Sequence, residues 1–221
     1  MDFTLMFQKI AIALPGFLLA VVCHEVAHGV MALKHGDDTA RNEGRLTLNP
    51  AAHFDTMGSL VIPLVIFAST GFLFGWAKPV PVNPVRFKNF RSGMFWVSFA
   101  GPLTNFILAL ISAILFAAII VFVDPQFYLF EPFVQMLSFS AMINMALGVF
   151  NLIPLPPLDG SKMVQAFLDY NSARKFEALG QYSFFIIIGL MLTGGFHYIF
   201  APGQILINKL QFFFMYLFSQ G

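Results

Sequence analysis

Apolar stretches long enough to cross a lipid bilayer dominate this sequence and leave it few folds. A membrane-spanning helix needs about 20 mostly apolar residues. The chain offers such stretches at 7–33, 56–77, 92–123, 132–158 and 178–200, and a shorter one at 204–218 that carries Lys209. Only 10% of the 221 residues are charged and 58% are apolar, with Phe alone at 29. A soluble domain carries about 25% charged residues, so the missing charge marks a surface that faces lipid. A net charge of +1 gives no reason to expect nucleic acid as a partner, and the single cysteine, Cys23, cannot form an internal disulfide. The first residues lack the basic leader and small-residue cleavage site of a secretory signal, so the first stretch reads as a retained helix. No repeat or long hydrophilic insertion divides residues 1–221, which are expected to form one integral-membrane domain.

Two regions look irregular. Residues 57–77 hold Gly58, Pro63, Gly71 and Gly75 and lead into Lys78-Pro79-Val80-Pro81-Val82-Asn83-Pro84, which has too many prolines to be helical. Gly44 to Asn49 alternates polar with apolar residues and predicts a short strand. Extended backbone at membrane depth is tolerated only where it is buried in protein or lines a cavity, so a cavity is implied. The expected fold is an all-α polytopic membrane protein of five to six transmembrane helices, with a re-entrant segment at 57–77 and short membrane-associated β strands.

The chemistry concentrates in the first apolar stretch, at His24-Glu25-Val26-Ala27-His28. Ionisable side chains inside a membrane helix are costly and mark functional sites. Residues i and i+4 share one helical face, so both imidazoles can reach one metal ion, and Glu25 can accept a proton from a water held there. With five His and four Glu in the chain, chance supplies this spacing about 0.002 times. A catalytic zinc takes three protein ligands, so one more is needed. Most other carboxylates sit in polar surroundings; Asp159 follows the apolar run 151–158 and precedes Gly160, which makes it the expected third ligand.

These residues, with Gly101-Pro102-x-x-Asn105 and Asn151-x-x-Pro154-x-Pro156-x-Leu158-Asp159-Gly160, resemble the site-2 protease family of intramembrane zinc metalloproteases, in a form without a PDZ-like insertion. The resemblance implies one zinc ion held by His24, His28 and Asp159, Glu25 as catalytic base, and Asn105 and Asn151 as polar groups at the substrate-binding or outer shell of the site. It implies a catalytic core at residues 7–160, C-terminal helices at 178–219, and cleavage of transmembrane protein substrates within or near the lipid bilayer. A homo-oligomer is left open. The competing readings are a metal-binding transporter and a non-catalytic relative that only binds helices.

Topology follows from parity. If His24 and Asp159 bind one ion, their segments must reach the same depth, which requires residues 57–77 to enter and leave on one side. Lys34, Arg41, Arg45, Lys78, Arg86, Lys88, Arg91, Lys162, Arg174 and Lys175 then share one face, and only Lys9 is left near the other. The positive-inside rule makes the populated face cytoplasmic, with the active site toward it, in the plasma membrane. The extended pieces near 46–49 and 80–83 are expected to offer a strand edge to an unwound substrate. Among the remaining polar residues, His53 and Asp55 read mainly as turn or surface chemistry, and Asn144 as a helix-to-helix hydrogen bond.

Overall fold

A computed structural model describes residues 3–62, 65 and 78–220. Its helices are α1 (Phe3–Lys34), the short α2 (Thr39–Asn42), α3 (Phe90–Phe122), α4 (Phe130–Asn151), α5 (Asp159–Gln165), α6 (Tyr170–Ala178), α7 (Gly180–Leu192) and α8 (Gly195–Ser219). The core is α3 packed against α1, α4 and α8. Sequence explains why α3 can be central. Its buried residues include Gly93, Val97, Gly101, Asn105, Ala109, Ala113 and Ala117, a stripe repeating every four positions and built almost entirely of small side chains. Small residues let membrane helices approach closely, where packing rather than the hydrophobic effect holds them together. Farther along the stripe, Ala109 meets Ala141 and Met145 of α4 and Ile207 of α8.

The end of α1 is closed by Gly36, whose φ of +106° excludes most other residues. The N–H groups of His35, Gly36 and Asp37 turn back onto carbonyls of the last helical turn. Just beyond, the Lys88 N–H donates to the His35 carbonyl at 2.9 Å, so the end of α1 and the approach to α3 lie side by side. Asp37 is fully buried there. Its carboxylate accepts the Thr39 N–H at 3.1 Å and the Asn83 N–H at 2.6 Å.

The expected strands do not form: among the described residues there is none. Residues 45–49 are irregular, and the polar member of the alternation is the one turned inward. Arg45 is buried and donates to the carbonyls of Lys78 and Pro79 at 2.8 and 3.3 Å, while Leu48 is exposed. Residues 78–83 have no regular structure and pair with no strand; Lys78 gives its N–H to the His53 carbonyl at 2.9 Å. Pro79 and Pro81 have no N–H, and Val80 and Asn83 give theirs to Glu25 and Asp37.

The span count also needs correction. Among the described residues, three helices are long and apolar enough to cross a membrane (Phe7–Lys34, Phe90–Phe122 and Phe130–Asn151), or four if α6 and α7, bent by 48°, make one broken span. Five to six are not found. Helix α7 has only 13 residues and its neighbour α6 is polar, while α8 absorbs the 204–218 stretch but carries His197, Gln204, Asn208, Lys209 and Gln211. The expected re-entrant segment falls mostly on residues outside those described; its beginning, Thr56–Val61, is a π-helical turn capped by Asp55, which accepts the Gly58 N–H.

Candidate metal centre

Helix α1 carries His24 and His28 one turn apart, and α3 meets them with Val97, Gly101 and Asn105 at the same four-residue spacing. His28 Nδ1 lies 2.6 Å from the Val97 carbonyl oxygen. That oxygen can only accept, so Nδ1 carries the proton and Nε2 keeps its lone pair. His24 Nδ1 lies 2.6 Å from Asn105 Oδ1. The Asn105 amide is oriented by its own donors: Nδ2 gives one hydrogen to the Ala20 carbonyl at 3.1 Å and the other to Asn144 Oδ1 at 2.9 Å. Its oxygen must therefore face His24, which leaves His24 Nε2 as a lone pair too.

Asp159 completes the cluster from the start of α5. Its Oδ2 is 3.1 Å from His24 Nε2 and 3.2 Å from His28 Nε2, and the two Nε2 atoms are 3.0 Å apart. Two ring nitrogens and a carboxylate oxygen thus converge on one point, each within hydrogen-bond distance of the other two. They are 8%, 9% and 5% exposed as residues, a sheltered donor set of the kind that can hold a metal ion. Tetrahedral zinc with bonds of about 2.0–2.1 Å sets its donors about 3.3–3.4 Å apart, so this triangle needs only a slight expansion to fit. Gly101 lets both rings come this close to α3: a methyl group there would lie 2.5 Å from His28 Nε2 and 2.6 Å from His24 Nε2.

Several local features hold Asp159 in place. The chain leaves α4 at Asn151, passes a cis Pro156–Pro157 bond and enters α5, where Gly160 sits so close to the Leu152 carbonyl that a Cβ would collide with it. The Ser183 hydroxyl of α7 donates to the Pro156 carbonyl. Lys162 Nζ approaches Asp159 Oδ1 at 3.4 Å, leaving Oδ2 for the imidazoles.

Glu25 lies beside the cluster, half-buried, and its Oε2 accepts the Val80 N–H at 2.7 Å. It shares with His24, His28 and Asp159 the wall of a cavity of about 860 Å³, whose apolar side is formed by Val82, Phe87, Met94 and Val97. The two asparagines expected near the site are separated. Asn151 lines the cavity and donates to the Leu147 carbonyl of its own helix at 3.0 Å, whereas Asn105 is fully buried behind His24. His53 is buried, not at the surface, with Nε2 bonded to the Thr47 carbonyl at 2.8 Å and outside the metal cluster. Sequence reasoning did not identify Val97 or Gly101 as mounts for the histidines, although the shared 97/101/105 and 24/28 spacing was a signal for both.

Two imidazoles from one candidate membrane-spanning helix and a carboxylate from a second helix, with another carboxylate alongside on an open cavity, are the donor set of a helical membrane metalloenzyme. Residues 122–193 match the family model described as peptidase family M50. The Bacillus subtilis (strain 168) protein named "Putative zinc metalloprotease YwhC" is 37% identical over 177 residues, covering 80% of this chain and 78% of that protein. "Putative zinc metalloprotease Rip2" of Mycolicibacterium smegmatis is 30% identical over 182 residues, covering 82% and 67%. No solved structure gives a significant match. The chain belongs to peptidase family M50 and is a metalloprotease of membrane-helical architecture.

Proposed function

We propose that the chain is an intramembrane zinc metalloprotease that hydrolyses peptide bonds of transmembrane protein substrates, with His24, His28 and Asp159 as the zinc ligands and Glu25 as the catalytic base. One observation carries the reading: two imidazole nitrogens and a carboxylate oxygen within 3.0–3.2 Å of one another, the two nitrogens on a candidate membrane span. Two imidazoles and one carboxylate are a ligand set typical of catalytic zinc, and the relatives' printed names specify zinc.

A bound zinc ion supplies Lewis acidity toward a water and toward a peptide carbonyl. The residues of the chain do the rest. Glu25 Oε2 is oriented by the Val80 N–H, which leaves Oε1 to take the proton of the attacking water and return it to the departing amine. Asn105 and the Val97 carbonyl keep both imidazoles in one tautomer through the cycle. The apolar wall of the cavity accepts substrate side chains, and Asn151 offers a polar contact to backbone freed when a substrate helix unwinds.

The site opens toward the cytoplasmic side in this reading. Lys34, Lys78, Arg86, Lys88 and Arg91 gather where the end of α1 meets the approach to α3, and basic residues mark cytoplasmic ends.

The deciding experiment is metal analysis of the purified protein, paired with cleavage of a membrane-protein substrate by the intact chain and by Glu25→Gln. The expected result is about one zinc per chain in both and a loss of cleavage of at least about 100-fold in the variant. A Glu25→Gln protein that still cleaves, or an intact chain that holds no zinc, overturns the reading. A transporter would instead change in metal flux while showing no proteolysis in either form.

A further inference from the structure

The polar groups behind His24 do not end at Asn105. Asn144 of α4, also fully buried, accepts the second Nδ2 hydrogen of Asn105 on its Oδ1 and donates its own Nδ2 to the Ser140 carbonyl at 2.9 Å. Two main-chain oxygens, of Ala20 and Ser140, therefore fix the polarity of the whole chain of bonds, because neither can donate. Read outward from the metal centre it runs His24 Nδ1–H to Asn105 Oδ1, Asn105 Nδ2–H to Asn144 Oδ1, and Asn144 Nδ2–H to Ser140 O. Every link has one sense only. It joins α1, α3 and α4 within the apolar core, where an unpaired amide has no water to turn to.

The geometry points to Asn144 as a positioning residue for the metal centre, acting through Asn105 to keep His24 Nε2 aimed at the ion with its lone pair free. This inference rests on the zinc reading above. Remove the Asn144 oxygen, and one Asn105 hydrogen is left without an acceptor in a dry interior. The cheapest relief is rotation of the Asn105 amide, which weakens the 2.6 Å contact to His24 Nδ1 and releases the ring to its other tautomer. A second buried polar contact supplies the control. The Ser112 and Ser140 hydroxyls bond at 2.9 Å between the same two helices; the Ser140 hydroxyl also lies 3.4 Å from Asn144 Nδ2, a long contact beside the 2.9 Å bond to the Ser140 carbonyl, and Ser112 itself bonds neither Asn105 nor Asn144.

The test is zinc affinity of the full chain in nanodiscs, read by competition between Zn²⁺ and a chelator of known strength. Asn144→Ala is expected to weaken zinc binding about ten- to a hundredfold, while Ser112→Ala, which also loses a buried interhelical bond, stays at the wild-type value. Asn144→Asp is expected to restore affinity to within about threefold, because a buried carboxyl at this depth stays neutral and matches the amide in shape, with an O–H in place of the N–H donor. If Asn144→Ala does not accumulate, Asn144→Ser, whose hydroxyl is too short to reach Asn105, is measured in its place. Wild-type affinity in the alanine or serine variant overturns the inference, as does an equal loss in Ser112→Ala or no rescue by Asn144→Asp. Failure of the parent reading looks different: the wild-type chain itself then binds no zinc.

Discussion

Replacing Gly101 with Ala tests the metal centre by adding one methyl group. The new carbon would lie 2.5 Å from His28 Nε2 and 2.6 Å from both Nε2 and Cε1 of His24. Non-bonded atoms settle at about 3.5 Å or more, so the rings must retreat by about 1 Å, whereas ligand distances tolerate only about 0.2 Å. Neither ring has room to give. Each is held from behind by a 2.6 Å hydrogen bond, to Asn105 and to Val97, on the same helix that carries the methyl. Zinc affinity is expected to fall at least about 100-fold, or about 2.8 kcal/mol, with cleavage falling in step. The backbone argues in the opposite direction, since Gly→Ala within a helix is normally stabilising by about 0.5–1 kcal/mol. Chelator competition on the purified variant measures the loss, and Gly189→Ala, where a Cβ meets nothing within 4 Å, is the control. A Gly101→Ala protein that binds zinc as tightly as its parent would refute the placement of the ion between the two imidazoles.

Two further outcomes follow. Val80→Pro deletes the N–H that holds Glu25 Oε2 in a segment already irregular and proline-rich; zinc content should be unchanged and cleavage should drop about tenfold or more, while Val80→Ala, which keeps the N–H, should cleave normally, and equal rates in the two variants would remove the role given to that bond. Asp37→Asn turns an amide N–H₂ toward a backbone donor in a fully buried site and should cost about 1–3 kcal/mol of stability, read as a lowered midpoint of thermal unfolding; an unchanged midpoint would mean that Asp37 does not anchor the 78–83 segment.

What the sequence made legible was the chemistry written at short range. His24 and His28 belong to one helical turn, so their common face needs no knowledge of the rest of the molecule, and an apolar run announces a helix in lipid without specifying its neighbours. Asp159 lies 135 residues from His24, and no periodicity joins them. It stood out only as a carboxylate misplaced after an apolar run. The strand expected at Gly44–Asn49 does not form because alternation alone says nothing of a pairing partner, and Arg45 is buried to hold two carbonyls of the 78–79 segment. The surplus spans failed because length and mean apolarity were counted across residues 178–200 without the break at Thr193–Gly194, where α7 ends and α8 begins, or the polar residues spread along α8. Gly101 was visible as part of a motif, but its reason, a close approach to two ring nitrogens, exists only once α1 and α3 are packed.

The position of the histidines along α1 sets how the reaction obtains its second reactant. Six residues separate His28 from Lys34 at the helix end, which at about 1.5 Å per residue is about 9 Å. Hydrolysis consumes one water for every bond broken, and under the proposed function that water would have less than two helical turns to travel from the linkers around His35 and Lys88, while the longer, apolar arm of α1 runs back to Phe7. Under that function, access from this one end would hydrate the reaction without a path for ions across the bilayer.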